Sequence, residues 1–319
     1  MRTLKRLAIV VALIALVACA PAETPPVEEP APEGLENGSF MAQLNGFDIH
    51  FEVHGQGPVL MVLTNSWGLS IEGLRGILGQ LEERLTLVYF DPRGMGESAE
   101  IIEESDMGMA AVRADFQALR EHLGLESVNA IGWSNGASNL IMLAAERPET
   151  IENAIFLHGV ASFTTEDSAI YAEQYPEMIA AWTTFLQELQ NPELSEEQRT
   201  EKMRAMWLGE WFPLSFADRA AAPATLDRIF GDAEFSWAHA DYSQREHPEF
   251  DARNLLPQIT ARCLVITGAH DTIPVSKGEE MAAGIPDAEF ALFESSGHYA
   301  PAEEPEAFED LVFRFLGVS

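Results

Sequence analysis

The stretch AIGWSNGASN, Ala130 to Asn139, sets one serine between two glycines at the point where an apolar run gives way to helical spacing. A strand that turns sharply into a helix strains the backbone at its apex, and glycine leaves room on either side of it. The run before the serine, SVNAIGW, reads as a strand, and the run after it, ASNLIMLAAERP, as a helix. Ser134 then lies at the carboxyl edge of a sheet, where crevices form. It also lies at a helix N-terminus, whose amides favour developing negative charge.

Outward from this turn the same alternation repeats. SFMAQL and FDIHFEVHG alternate with period two around Asn45-Gly46, a tight hairpin signal. PVLMVLT and LTLVYF are continuously apolar, as strands buried on both faces are. SIEGLRGILGQLEERL and MAAVRADFQALREHLGL have helical spacing. Later come the strand NAIFLH, and after a long interruption the strand RCLVIT, the helix KGEEMAAGI, the strand EFALFE and the helix EAFEDLVFRFL. Strands that alternate with helices through short links define an α/β fold, with a mainly parallel sheet covered on both faces. The interruption, 164–257, is helical in spacing and holds four of the six tryptophans, Trp182, Trp207, Trp211 and Trp237. It reads as a helical insertion between two stretches of core, 39–163 and 258–319.

A serine hydroxyl needs a base within hydrogen-bond reach and a group that orients that base. Asp271 follows the strand RCLVIT, and His298 follows the strand EFALFE, so both fall at the sheet edge that carries Ser134. The order along the chain is Ser, Asp, His. His54, His239, His247 and His270 show no metal-ligand spacing, and neither a metal nor another cofactor is expected.

The segments GWSNG, YFDPRGMGES, ITGAHDTIP and SSGHYAPAEEPEAF resemble the nucleophile elbow, the Asp-x-Arg-Gly turn, the acid loop and the histidine loop of α/β-hydrolases. The resemblance implies an eight-stranded sheet with a helical cap, Ser134 as nucleophile, His298 as general base and then acid, and Asp271 as the group that fixes the imidazole. It also implies an oxyanion hole. Thr64-Asn65 stand where the family usually has His-Gly, so the donors are the amides of Ser66 and Asn135, or Trp67 in place of Ser66 if the register shifts by one. The later stretch His158-Gly159-Val160 looks like the missing His-Gly but follows the nucleophile and belongs to another strand, so His158 reads as pocket lining or a packed histidine. Asp91 and Arg93 read as ties that hold their turn to neighbouring loops.

A serine at the elbow points to acyl transfer, hence an ester, thioester or amide bond. The Asp-Pro-Arg-Gly turn, the helix DFQALREHLGLESV and the helical insert make the chain similar to prolyl iminopeptidases, although it has TNSWG for their His-Gly-Gly-Pro-Gly and GWSNG for their Gly-Gly-Ser-Trp-Gly. The alternatives are thus a lid-gated carboxylesterase, an iminopeptidase and a non-catalytic binding protein on the same fold. For an iminopeptidase, the acids Glu173, Glu177, Glu210, Asp218 or Glu234 of the insert would have to meet a free amine.

Composition sets the location and the partners. The chain has 51 acidic and 19 basic residues and a formal charge of −32, which excludes a phosphate-binding face and hence a nucleic-acid partner. MRTLKR followed by the twelve apolar residues LAIVVALIALVA reads as an export signal over 1–18. Leu16-Val17-Ala18-Cys19 resembles the lipobox of bacterial lipoproteins, which implies lipidation of Cys19. Residues 19–38 follow as a tether rich in proline and glutamate, able to reach roughly 60 Å at about 3.1 Å per residue. The resulting expectation is a cell-envelope enzyme that meets the membrane only through its lipid and acts on a small-molecule or peptide substrate.

Overall fold

A computed structural model describes residues 34–318. Ten strands occur among them: β1 (Gly38–Leu44), β2 (Phe47–Gly55), β3 (Val59–Leu63), β4 (Thr86–Phe90), β5 (Val128–Trp133), β6 (Ile151–Leu157), β7 (Ser162–Phe163), β8 (Phe250–Asp251), β9 (Arg262–Gly268) and β10 (Ala288–Phe293). Eight of these form one sheet in the order β1-β2-β4-β3-β5-β6-β9-β10. The pairings β1 with β2 and β2 with β4 are antiparallel, and every pairing from β4 onward is parallel. Asn45 and Gly46, at φ 50° and 90°, make the tight hairpin turn that their sequence signals.

Helices cover both faces. In chain order they are α1 (Ile71–Leu78), α2 (Met109–His122), α3 (Asn135–Glu146), α4 (Thr165–Gln174), α5 (Pro176–Leu189), α6 (Glu196–Met206), α7 (Ala222–Phe230), α8 (Trp237–Glu246), α9 (Val275–Gly284), α10 (Ala300–Glu303) and α11 (Pro305–Leu316). Alternation along each strand sorts the side chains. Leu60 and Val62 face a core built with α1, α11 and the insert, while Met61 and Leu63 face a second core built with α2, α3 and α9. Both sets are fully buried, which is why these strands read as unbroken apolar runs. Each such side chain contributes about 1.5–3 kcal/mol by burial.

Between β6 and β9 the chain leaves the sheet and forms α4 to α8. The two-residue strands β7 and β8 pair antiparallel, Ser162 with Asp251 and Phe163 with Phe250, and draw the two ends of this helical segment together. At its centre Trp207–Trp211 form one π-helical turn. Such turns displace side chains from the regular helical face and recur at functional sites.

Candidate active site

The parallel strands converge at their carboxyl ends on one set of loops. Ser134 follows β5, His158 follows β6, Asp271 comes three residues after β9 and His298 five residues after β10. Ser134 has φ 55° and ψ −119°, a backbone state that costs a non-glycine residue about 1–3 kcal/mol and persists only where its surroundings impose it. Its amide donates to the Leu157 carbonyl at 2.8 Å, and its carbonyl accepts from the Ser138 amide at 3.1 Å. The flanking glycines are required by room. A Cβ on Gly132 would lie 2.4 Å from the Gly136 carbonyl oxygen, and one on Gly136 would lie 2.5 Å from that of Leu63. Strand and helix pack backbone to backbone across the turn, and the serine is lifted clear of both.

His298 Nδ1 lies 2.7 Å from Asp271 Oδ2. With Nδ1 donating to that carboxylate, Nε2 is the nitrogen left to accept a proton. Asp271 Oδ1 accepts from the Ile273 amide at 3.0 Å, and the Asp271 side chain is wholly buried. Burial pushes this carboxyl up, but the neighbouring His298, the His158 contact and the hydrogen bond from His298 outweigh it. The group ends well below the usual carboxylate range and ionised. Trp133 Nε1 donates to the His298 carbonyl at 3.2 Å, and the His298 amide donates to the Ser215 carbonyl at 2.7 Å.

Ser134 and His298 open on a cavity of about 880 Å³ under the helical segment. Trp67, Trp182, Trp207, Trp211 and Phe212 make its walls largely aromatic. Its ionised lining is Asp167 and Lys277, and these are paired with each other, Lys277 Nζ lying 2.7 Å from Asp167 Oδ1 and 3.1 Å from Ser162 Oγ. Glu173, Glu177, Glu210, Asp218 and Glu234 are all exposed, and none lines the cavity. They solvate the outer surface of the helical segment, Glu173 and Glu177 from its helices and Asp218 and Glu234 from its loops, as charged residues usually do.

The two oxyanion registers, Ser66 and Trp67, differ in their surroundings. Ser66 is fully buried and does not line the cavity; its amide and its hydroxyl donate to Asn135 Oδ1 at 2.9 and 3.0 Å. The Asn135 side chain thus occupies the amide that the serine register would offer to substrate. Trp67 does line the cavity, and the amides of Trp67 and Asn135 have no acceptor among the described residues. Those two are the available pair. Asn65 compensates for the missing glycine in another way, its Oδ1 accepting from the Gly136 amide at 2.7 Å and bracing the elbow.

The ties at the Asp-Pro-Arg turn are present. Arg93 binds Asp115 through Nε and Nη2, both at 2.8 Å, and Asp106 through Nη1 at 2.7 Å; Asp91 accepts from the Ile71 amide at 2.9 Å and meets His50 Nδ1 at 2.7 Å. His50 Nε2 in turn meets Ser39 Oγ at 2.9 Å, so Ser39, His50 and Asp91 repeat the connectivity of a triad. That serine lies within strand β1, far from any strand-to-helix apex, and the group is a structural tie.

His158, Asp271 and His298 bring three potential ligand atoms within 4.8 Å of one another. Tetrahedral zinc with bonds of about 2.0–2.2 Å sets neighbouring ligand atoms roughly 3.3 Å apart. The 2.7 Å between His298 Nδ1 and Asp271 Oδ2 fits a shared proton instead. Two further groups stand at the site: His158, whose His-Gly-Val stretch gave no role in the chemistry, and Glu303, which has no motif of its own in the sequence. His158 packs on the His298 ring, and Glu303 accepts from the amides of Ala217 and Gly297 at 2.8 Å each, joining the helical segment to the histidine loop.

The fold and this edge of the sheet define a class. The sequence profile described as alpha/beta hydrolase fold matches residues 59–305, and the chain belongs to that family of hydrolases. It is 25% identical over 289 residues to a 2-hydroxy-6-oxononadienedioate/2-hydroxy-6-oxononatrienedioate hydrolase of Pseudomonas sp, with 86% of this chain and 93% of that protein covered. An alpha/beta fold family hydrolase from Bacillus anthracis str. Sterne superposes with a TM-score of 0.71 at 20% identity, covering 88% of this chain and 99% of that one. A proline iminopeptidase from Mycobacterium smegmatis superposes with a TM-score of 0.61 at 18% identity, covering 88% and 98%. At these identities the structural likeness carries the fold alone.

Proposed function

We propose that the protein is a serine hydrolase that cleaves esters of uncharged, apolar acyl groups through an acyl-enzyme. The observation that carries this reading is the opening of Ser134, at its strained apex, and of His298, held by Asp271, on one aromatic cavity whose ionised pair among the described residues is already neutralised. Ser134 Oγ attacks the carbonyl carbon while His298 Nε2 takes its proton. The tetrahedral oxyanion is held by the amides of Asn135 and Trp67, and His298 returns the proton to the leaving oxygen. Water then repeats the sequence and releases the acid. Asp271 stays ionised throughout and keeps the imidazole in the required tautomer. An iminopeptidase would need an unpaired carboxylate for the substrate amine, and Asp167 is engaged with Lys277.

A fluorophosphonate probe should label Ser134, and His298→Ala should abolish labelling. Turnover of p-nitrophenyl esters should rise from acetate to octanoate as the acyl chain fills the aromatic walls. Strong cleavage of proline β-naphthylamide, with its N-acetyl form inert and the esters poor, would replace the esterase with the aminopeptidase. Absence of both labelling and turnover would leave a binding protein on this fold.

We also propose export and lipid anchoring at Cys19, which lies outside the described residues together with the segment 1–18 and most of the tether. Support comes from the order basic residues, apolar run and Leu-Val-Ala-Cys. Two or three acyl chains at about 0.8 kcal/mol per buried CH₂ make such an anchor lasting. Labelled palmitate should enter the full chain and not Cys19→Ser, and palmitate incorporation by the serine variant would exclude the site.

A further inference from the structure

His158 is in a position that packing alone does not explain. It is one of three non-glycine residues with φ between +50° and +55° among the described residues, at 54°, beside Asn45 in the hairpin turn and Ser134 at the elbow. Its ring is fully buried, and neither ring nitrogen has a hydrogen-bond partner among the described residues. An apolar side chain would fill this volume without the desolvation of two ring nitrogens, and asparagine or glycine would suit the backbone better. The chain nevertheless holds an imidazole there, with its centroid 5.1 Å from that of His298 and Nδ1 3.4 Å from Asp271 Oδ2, the oxygen that also receives His298 Nδ1. The backbone fixes this place: the His158 amide donates to the Ile266 carbonyl at 2.9 Å, while the carbonyl of the preceding Leu157 accepts from Ser134. Strain at His158 and strain at Ser134 are therefore neighbours across one pair of strands.

Building on the triad reading above, we propose that His158 is a positioning residue for the triad acid: a neutral imidazole whose Nδ1–H points at Asp271 Oδ2 and holds that carboxylate in line with His298. At 3.4 Å the contact is long for a hydrogen bond, and triad contacts commonly tighten as charge develops on the base. Burial depresses the basicity of His158 more than the neighbouring carboxylate restores it, so the ring is neutral when His298 takes the proton of Ser134. A charged His158 would compete with the imidazolium of His298 for the same oxygen. The other titratable groups around the carboxylate are Tyr171, Tyr175, Tyr299 and Glu303. Burial keeps the three phenols protonated, which leaves Glu303 as the other group able to carry charge there. With His158 removed, Asp271 loses a donor and attracts the imidazolium more strongly. The acid limb of the pH–rate profile then moves to higher pH.

Two variants separate this role from packing, because asparagine and glycine both tolerate positive φ. His158→Asn keeps an N–H near the place of Nδ1, and His158→Gly removes it. His158→Gly should raise the acid limb of kcat/KM for p-nitrophenyl acetate by about one pH unit and lower kcat about tenfold with KM little changed. His158→Asn should return the limb to within a few tenths of a unit of wild type. An acid limb unmoved in the glycine variant, or moved equally in both, overturns the proposal.

A second measurement depends neither on turnover nor on a variant that folds. In protein carrying ¹⁵N-labelled histidine, His158 should be neutral with its proton on Nδ1, and a proton on Nε2 or a charged ring overturns the proposal. If Ser134 takes no fluorophosphonate while His158 shows that tautomer, the hydrolase reading fails and the placement of His158 stands. If Ser134 is labelled and the proton is on Nε2, His158 alone is wrongly assigned.

Discussion

Ser134 and Asp271 contribute to the site through different physics, and single substitutions tell them apart. Ser134→Ala should abolish ester hydrolysis and leave the thermal midpoint almost unchanged, since a hydroxyl at the cavity surface adds little packing. Asp271→Asn should lower kcat by about 10³ to 10⁴, because the amide presents a donor to Nδ1 and turns the imidazole to the wrong tautomer; turnover near wild type would remove Asp271 from the triad. Cys263 gives a test of burial. Burial pushes its thiol up to about 12, and its Sγ donates to the Ala261 carbonyl at 3.2 Å. Native protein should therefore hide this thiol from Ellman's reagent at pH 8 and release it on denaturation, and fast reaction in the native state would show that the β9 core is open. At this scale the sequence was informative wherever chemistry comes with a local motif. Ser134, Asp271 and His298 each follow a recognisable strand. His158 follows one too, but its unpartnered ring and its distance to Asp271 depend on how β6 and β9 align, and no local pattern records that.

The elbow between β5 and α3 is an element-scale device, and its glycines are its weak points. Gly136→Ala would put a methyl 2.5 Å from the Leu63 carbonyl oxygen and 2.7 Å from Asn65 Oδ1. It should cost about 1–3 kcal/mol in stability. It should also depress kcat, because α3 must shift away from β3 and carry Ser134 and the Asn135 amide with it; an alanine variant with wild-type midpoint and turnover would show that the close approach is not needed. The hairpin β1–β2 is tied to the Asp-Pro-Arg turn through His50. The hydrogen bond that His50 Nδ1 donates to Asp91 raises His50 above its ordinary 6.5, so its protonated form is favoured by folding. A raised value means that this stabilisation is present below pH 6.5 and is lost as pH rises through the folded value. The gap in thermal midpoint between wild type and His50→Gln should therefore be wider at pH 5.5 than at pH 8.5, and a gap that widens with pH would contradict the ion pair. Strands and helices were legible because burial on both faces gives unbroken apolar runs and amphipathic helices give period 3.6. The oxyanion register was not legible. It turned on the Asn135 side chain reaching Ser66, 69 positions away in sequence, and a contact of that span leaves no periodic trace.

For the whole molecule the formal charge of −32 is the largest single property, and only three of its basic residues are lysines. Self-repulsion of an acidic surface is screened over about 8–10 Å at moderate salt, so the thermal midpoint should rise between 10 mM and 500 mM NaCl. A falling midpoint would mean that the surface ion pairs outweigh the repulsion. The helical segment between β6 and β9 is bound to the loops that carry Asp271 and His298 rather than laid over them. Ser215 accepts from the His298 amide, its Oγ meets Thr272 Oγ1 at 2.7 Å, and Glu303 holds the Ala217 amide. By itself the sequence determined the α/β architecture, the serine turn and the two loops that carry Asp271 and His298, because each is written in local spacing, turn chemistry and apolar runs. Only the tertiary structure decided that the Asn135 side chain takes the Ser66 amide while Trp67 lines the cavity, that the acids of the helical segment face away from that cavity, and that His158 stands against Asp271. Those outcomes depend on which side chains meet across strands and helices far apart in the chain, and the packing of the sheet edge sets them at distances that no local pattern fixes.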